Sequence, residues 1–332
     1  MDAATTLLLT GKDVAELLSL SDCIQAVEEA FRLHGEGRAP APAVMGVHSP
    51  GGGFHIKAGT MALGRNYFAA KANANFPGNP ARGLPTIQGL ILLFDADNGQ
   101  VLAVMDSIQI TILRTGAATA VAARCLARTN SRVATICGCG LQGRVQLRAI
   151  RHACPIEEVF AWDVNHEAAE RFAKEMARER GLTVTAVDDL AAALQKSDVC
   201  VTCTPAKKFF IHKKDVPPGM FIAAVGADNE DKQELDPELL TSKNKIVADV
   251  LQQCATIGDL HHAIAAGMMT ASAVHAELGE IVCGRKPGRT SAGEITIFDS
   301  TGMALQDVAS AAMVYERAVA AGRGTTMRFA GA

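Results

Sequence analysis

The run Val133-Ala-Thr-Ile-Cys-Gly-Cys-Gly-Leu-Gln-Gly143 constrains this chain more than any other stretch. A buried-looking apolar run leads into Gly138, Gly140 and Gly143 at G-x-G-x-x-G spacing, and helix-forming residues follow. Each glycine has a physical task. Gly138 permits a tight turn, Gly140 lets backbone approach a pyrophosphate, and Gly143 lets the helix pack close to the sheet. The helix beginning at Leu141 and Gln142 then offers free N–H groups and the positive end of its dipole to phosphates. Twenty residues past Gly143, Asp163 closes a second strand-like run, Glu158-Val-Phe-Ala-Trp-Asp163. A carboxylate there accepts from a ribose 2′-OH and repels a 2′-phosphate. The pattern predicts a dinucleotide site that favours NAD, with NADP as the other form. A glycine-rich turn that binds nothing is the alternative, and the strand, helix and acid around the fingerprint argue against it.

Length and charge narrow the rest. A chain of 332 residues suggests about two domains. With 48% hydrophobic and 20% charged residues, it has the makings of a large globular core. A net charge of −3 provides no field for nucleic acid or an acidic membrane surface. No segment is apolar for long enough to span a bilayer. Leu7-Leu-Leu9 lacks the basic flank and cleavage site of a signal peptide. Nine cysteines without a secretion signal suggest free thiols and a cytoplasmic location. Cys200 and Cys203 are spaced C-x-x-C, but on a predicted strand they point to opposite faces. Cys137 and Cys139 read as small turn residues, and His261, His262 and His275 as helix and loop residues, so no metal site is expected.

Along the chain the pattern changes once. The first helix is expected over Asp22–His34, with Ser21 as N-cap and Ile24, Val27 and Phe31 as its apolar stripe. Pro40 to Gly53 reads as a proline- and glycine-rich connection. Strand-like runs follow at Phe54–Lys57, Tyr67–Lys71, Thr86–Phe94 and Gln100–Met105, the last two forming a hairpin around Asp95–Gly99. An alanine-rich helix is expected over Thr115–Ala127. Strands then alternate with helices: Val133–Cys137, Val159–Trp162, Val184–Ala186 and Val199–Cys203, with later strands at Phe221–Val225, Ile246–Ala248 and Ile295–Phe298. Such alternation makes a doubly wound parallel α/β sheet. The last helix, Ala304–Ala320, is expected to return to the first domain. The predicted organisation is a discontinuous α+β domain over 1–114 and 304–332, and a Rossmann domain over 115–303.

Polar residues at the carboxyl ends of the strands are candidates for chemistry. Asp228 stands just past the strand Phe221–Val225, where a carboxylate faces a substrate amine or holds a protonated imine; an Asx-turn residue is the plain alternative. Thr202 and Thr204 end the preceding strand, at an end that is expected to line the cofactor; the β propensity of threonine is the plain alternative. Arg114, between apolar neighbours, suits bidentate recognition of a carboxylate. Lys57 and Lys71 lie in alternating strands, either facing a cleft or as surface strand lysines. His55 shares a strand face with Lys57 and reads more simply as a polar edge residue.

These segments together resemble the ornithine cyclodeaminase/μ-crystallin superfamily, and within it the archaeal-type alanine dehydrogenases and imino-acid reductases. The resemblance covers essentially the whole chain. Its most specific stretches are Asn79-Pro-Ala-Arg-Gly-Leu-Pro-Thr86, Leu113-Arg-Thr-Gly-Ala117, the glycine fingerprint, Ala224-Val-Gly-Ala-Asp228, Lys232-Gln-Glu-Leu-Asp236 and Ile295-Thr-Ile-Phe-Asp-Ser-Thr-Gly302. It implies that Lys71 and Arg114 bind a substrate carboxylate and that Asp228 is the catalytic acid beside the substrate nitrogen. Lys71 falls among the catalytic residues as well. Thr115, Gly138, Gly140, Leu141, Gln142, Gly143, Asp163 and Val225 fall at cofactor positions. The resemblance also implies a homodimer in which the first domains join their sheets. One departure stands out. A cation common in the family shortly after a proline is missing from Ala41-Pro-Ala-Val44, and Lys57 is the residue expected to replace it. The implied activity is NAD(P)H-dependent reduction of a small α-imino acid, or oxidation of the amino acid. A cyclodeaminase that recycles NAD and releases ammonia, and a binding protein of the μ-crystallin kind, are the other implied functions.

Overall fold

Backbone pairing in a computed structural model, which describes residues 5–329, divides the chain into two compact units. One runs up to Arg114 and resumes at Met303; the other is Thr115–Gly302. The first four and last three residues of the expected discontinuous domain lie outside the described residues. In chain order the first part holds β1 (Thr6–Leu9), α1 (Gly11–Leu17), α2 (Leu20–Gly35), β2 (Ala43–Ser49), β3 (Gly52–Ala62), β4 (Asn66–Asn75), β5 (Ile87–Asp95), β6 (Val101–Asp106) and α3 (Ile108–Leu126). Then come β7 (Val133–Cys137), α4 (Leu141–Arg151), β8 (Glu158–Trp162), α5 (His166–Met176), β9 (Thr183–Ala186), α6 (Leu190–Leu194), β10 (Val199–Thr202), β11 (Lys207–Ile211), β12 (Phe221–Ala224), β13 (Gln233–Leu235) and β14 (Lys245–Ala248). The chain continues through α7 (Leu251–Ile257), α8 (Asp259–Ala265), β15 (Ala276–Glu277), α9 (Leu278–Val282), β16 (Thr296–Asp299), α10 (Ala304–Ala321) and β17 (Thr325–Met327).

The first unit is a seven-stranded sheet ordered β17-β1-β6-β5-β4-β3-β2, antiparallel except where β1 pairs with β6. Alternation along β4 decides which side chains face inward: Tyr67, Ala69, Lys71 and Asn73 are buried. Helix α10 packs on β3, β4 and β5, and α2 packs on α10. Gly59 on β3 makes the close approach possible, since a Cβ there would come within 2.9 Å of Leu305.

Three expectations in this unit need correction. The cap of the long first helix is Ser19, not Ser21. Ser19 accepts from the backbone N–H of Asp22 while the Asp22 carboxylate accepts from Ser19, a reciprocal pair that Ser21 lacks. The stretch from Pro40 to Gly53 is not mere connection, because Ala43–Ser49 is an edge strand on β3. Prolines 40 and 42 precede the strand and so remove no ladder donor from it. Helix α3 begins at Ile108, before the alanine-rich stretch, because the Asp106 carboxylate accepts from Ile108 N (2.9 Å) and covers one of the open N–H groups.

The second unit is the expected Rossmann-type sheet, eight strands ordered β15-β14-β16-β12-β10-β7-β8-β9, all parallel. The order reverses between β7 and β10. In open α/β sheets a ligand sits outside the carboxyl ends of the strands at such a switch point. Cys137, Cys200, Ile222, Ile246 and Ile297 build one core from the central strands. Sequence periodicity missed the short β11–β13 pair and the small helices α7 to α9, which lack a full amphipathic repeat.

Candidate functional site

At the switch point Gly138 and Gly143 have the backbone their spacing predicts. Gly138 has φ +100°, a left-handed conformation open to glycine, and a Cβ there would come within 2.9 Å of the Cys203 carbonyl. A Cβ on Gly143 would collide with the carbonyl oxygen of Gly138, so α4 can start this close to β7 only with glycine. Gly140 has open space around its Cβ position. It is the N-cap of α4 and gives that helix no side-chain cap, leaving the first N–H groups available to an anion. Leu141 is exposed, and the buried Gln142 Oε1 has no protein partner. Asp163 follows β8 and accepts from Cys139 N (2.8 Å) and Asn165 N (2.9 Å). Its carboxylate therefore sits against the turn. These features fit a dinucleotide.

Glu234 holds the neighbouring strand ends. Its carboxylate is fully buried and accepts from Thr202 Oγ1 (2.7 Å), Thr204 N (2.7 Å), Thr204 Oγ1 (2.7 Å) and Gly226 N (2.9 Å). The Thr202 hydroxyl is completely buried and donates to Glu234. Thr204 is partly exposed, and Val225 continues the ladder through Val225 N to Thr202 O (2.9 Å). Behind Glu234 lies Asp259, which accepts from Glu234 N (2.8 Å) and Leu235 N (2.9 Å). Burial together with repulsion from Asp259 pushes the Glu234 carboxyl up to about 7; burial pushes Asp259 up to about 6. Sequence reading quoted this segment but assigned Glu234 no role. A lone acid before an apolar residue in a short strand was the available signal.

Asp228 stands past β12 with its side chain half exposed, ion-paired to Lys232 Nζ at 2.6 Å. The His262 ring at Nε2 is 2.8 Å from the Lys232 carbonyl and donates to it. Thr115 lies one turn before Thr119, whose Oγ1 donates to its carbonyl at 3.4 Å. Gly116 lets α3 approach α4, since a Cβ there would fall 2.7 Å from Val145.

The first unit gathers the expected cations. Lys57 on β3 lies directly across from Lys71 on β4, and both are buried, at 8% and 3% exposure. Neither is a solvent-facing strand lysine. Arg114 is equally enclosed. The residue that joins Lys71 and Arg114, Asp307 on α10, was missed by sequence reading. Its Oδ1 is 2.7 Å from Lys71 Nζ and 3.6 Å from Arg114 Nε. Gln306 Oε1 accepts from Arg114 Nη1 at 3.4 Å. Arg114 Nε, Gln306 Nε2 and Asp307 Oδ2 have no hydrogen-bond partner among the described residues. Thr111 accepts weakly from Lys71 and Asn73, each at 3.4 Å. Burial, and repulsion from Arg114 and Lys57, bring the Lys71 ammonium down to about 7 against the pull of Asp307. His55 is half-buried on the same face, across from Asn73. The signal for Asp307 was a carboxylate inside an otherwise apolar, alanine-rich helix, which is expensive to bury without a cation.

Known proteins match this chain over nearly its full length. The alanine dehydrogenase of Archaeoglobus fulgidus is 41% identical over 324 residues, covering 98% of each chain. A solved archaeal alanine dehydrogenase dimer with bound NAD matches with a TM-score of 0.94 at 41% identity, over 98% of this chain and 100% of that one. The Δ1-pyrroline-2-carboxylate reductase of Thermococcus litoralis, in complex with NADH and L-proline, matches with a TM-score of 0.91 at 34% identity, over 96% of this chain and 99% of that one. The sequence profile that describes the ornithine cyclodeaminase/mu-crystallin family matches residues 4–322, the glycine turn and the buried lysines included, and the chain belongs to that family.

Proposed function

We propose that this protein is an NAD-dependent oxidoreductase that acts on the C–N bond of small α-imino and α-amino acids. The observation that carries the reading is the buried group of Lys57, Lys71 and Arg114, the last two paired with Asp307. Cations are drawn out of water there at a cost that a bound carboxylate offsets. Lys71, Arg114 and Lys57 bind the substrate carboxylate and fix its orientation. Asp228, held by Lys232, stabilises the charge of an iminium nitrogen and handles a proton at that atom.

The unit Thr115–Gly302 is the nucleotide-binding part. Gly138, Gly140, Leu141, Gln142 and Gly143 hold the pyrophosphate against the start of α4. Asp163 takes the ribose 2′-OH and disfavours a 2′-phosphate. Thr115, Thr204 and Val225 complete the contacts, with Thr202 acting through Glu234. NAD, when bound, supplies or accepts the hydride. Relatives of this chain bind NAD, NADH and L-proline, which supports the assignment.

The other unit is the substrate-binding and dimerisation part. Its sheet has an apolar outer face, with Met45, Val47, Phe54, Leu90 and Leu92 exposed. A second copy of the chain covers that face in the proposed homodimer.

The test is NADH consumption with Δ1-pyrroline-2-carboxylate, Δ1-piperideine-2-carboxylate, pyruvate plus ammonia, and pyruvate plus methylamine. At least one should be reduced with stoichiometric loss of NADH. Conversion of ornithine to proline and ammonia with no net change in NADH would overturn the reading in favour of a cyclodeaminase.

A further inference from the structure

We propose that Asp307 is the positioning residue of the carboxylate-binding site, holding the Lys71 ammonium and the Arg114 guanidinium in place and keeping Lys71 charged. This rests on the reading of Lys71 and Arg114 as substrate-binding residues. The geometry supports it directly. Asp307 comes from α10, Lys71 from β4 and Arg114 from α3, so one carboxylate ties three elements together. A single oxygen, Oδ1, serves both cations, and Oδ2 is buried with no hydrogen-bond partner among the described residues.

The surroundings explain why a counter-charge is needed. The charged and titratable groups around the Lys71 ammonium are Lys57 from β3, Arg114 from α3, Asp307 from α10, and Cys23 from α2 behind Asp307. Thr111 and Asn73 are the neutral polar neighbours. Desolvation, Arg114 and Lys57 all favour loss of the Lys71 proton, and Asp307 opposes it. Burial and hydrogen bonds to Thr111 on α3 and Asp307 on α10 also restrict where the ammonium points. Asp307 thus does for Lys71 what a substrate carboxylate does on arrival, and the substrate finds a site already oriented and, below a pH of about 7, charged. It touches no reacting atom in this role.

Two measurements test this. In protein carrying ε-13C-labelled lysine, the Lys71 signal, assigned by its loss in Lys71→Arg, should titrate with a midpoint near 7. Asp307→Asn should lower that midpoint by about one pH unit or more, as expected for removal of an opposite charge in contact. Asp307→Glu, which keeps the charge but displaces it, should fall between the two. In kinetics, kcat/KM should fall as pH rises through the same midpoint in the free enzyme, and Asp307→Asn should move that limb to lower pH. At pH 8 the loss in kcat/KM should be about tenfold and come mainly from KM. In Lys71→Arg the alkaline limb should vanish, and adding Asp307→Asn should not bring it back, because a guanidinium does not titrate in this range. If Asp307→Asn does not fold, Asp307→Glu decides. A Lys71 midpoint unmoved by either substitution overturns the proposal. Failure of every imino acid to react would instead overturn the functional reading, while the lysine titration would still report on Asp307.

Discussion

Asp228 and Lys57 are the residues whose chemistry is most open to a single substitution. Asp228 carries an ion pair to Lys232 rather than a lone turn contact, so its carboxylate is held in a fixed place beyond β12. If it acts on the substrate nitrogen in the transition state, Asp228→Asn should lower kcat by about two orders of magnitude or more. The affinity for NADH, measured by fluorescence titration, should stay close to wild type; a normal kcat would return Asp228 to a plain turn residue. Lys57 is proposed to take the place of the cation that Ala41-Pro-Ala-Val44 lacks. A charge-assisted contact is worth about 1.5–3 kcal/mol, so Lys57→Met should reduce kcat/KM by roughly ten- to a hundredfold. Lys57→Arg should recover part of that loss, since a planar fork does not reproduce a point charge. Steady-state kinetics on both variants checks this, and unchanged parameters in Lys57→Met would exclude a binding role. The direction of Lys57 and Lys71 was only half legible: strand alternation puts each on one face, but apolar residues on both faces left cleft and solvent equally open. Asp307 was not legible. It pairs with Lys71 across 236 positions, and no local pattern encodes a contact of that separation. The same holds for Glu234, whose partners Thr202 and Thr204 sit on another strand end.

At the scale of elements, the β7–α4–β8 unit was readable almost residue by residue, because glycine spacing, strand composition and the acid at its end all express one local geometry. Elements whose existence depends on a neighbour were not readable. Strand β2 exists through its pairing with β3, and β13 is short and irregularly paired with β11. Yet β13 carries Glu234, and this gives a stability signature. Burial raises the Glu234 and Asp259 carboxyls above their ordinary range, so between about pH 5 and 7 the folded state binds more protons than the unfolded one. Stability then falls as pH rises through that window, the reverse of the usual carboxylate behaviour. The Lys71 ammonium leaves this window flat, because its depressed midpoint affects stability only above about 7 and in the opposite direction. The melting temperature should therefore drop from pH 5 to pH 7. Glu234→Gln, which cannot titrate, should flatten part of that slope while lowering stability at pH 5, since an amide nitrogen cannot accept from Thr204 or Gly226. A slope unchanged in Glu234→Gln, followed by thermal melts across the window, would remove Glu234 as its source.

The whole molecule raises a question of surface. On β5, Ile91 and Leu93 are buried while Leu90 and Leu92 are exposed, so two apolar sets alternate on one strand. One faces α10; the other continues across Phe54 on β3 to Met45 and Val47 on edge strand β2. A strand with one solvated face reads apolar-in and polar-out. This sheet is apolar on both sides in its central part, and a contiguous exposed apolar patch of that kind marks an interaction surface. Composition could not reveal it, because the same leucines count as core until the sheet's second face is seen. A second copy is the occupant proposed here. A two-fold interface places the same residues of both chains on one patch, so one substitution is introduced twice. Leu90→Asp, about half exposed in the single chain, leaves the monomer fold little affected but sets a buried charge against its symmetry mate. Wild type should sediment as a dimer, and Leu90→Asp should shift it to monomer with the secondary structure retained by circular dichroism. A wild-type monomer at micromolar concentration, or a Leu90→Asp variant that remains a dimer, would show that this face is not where two copies meet.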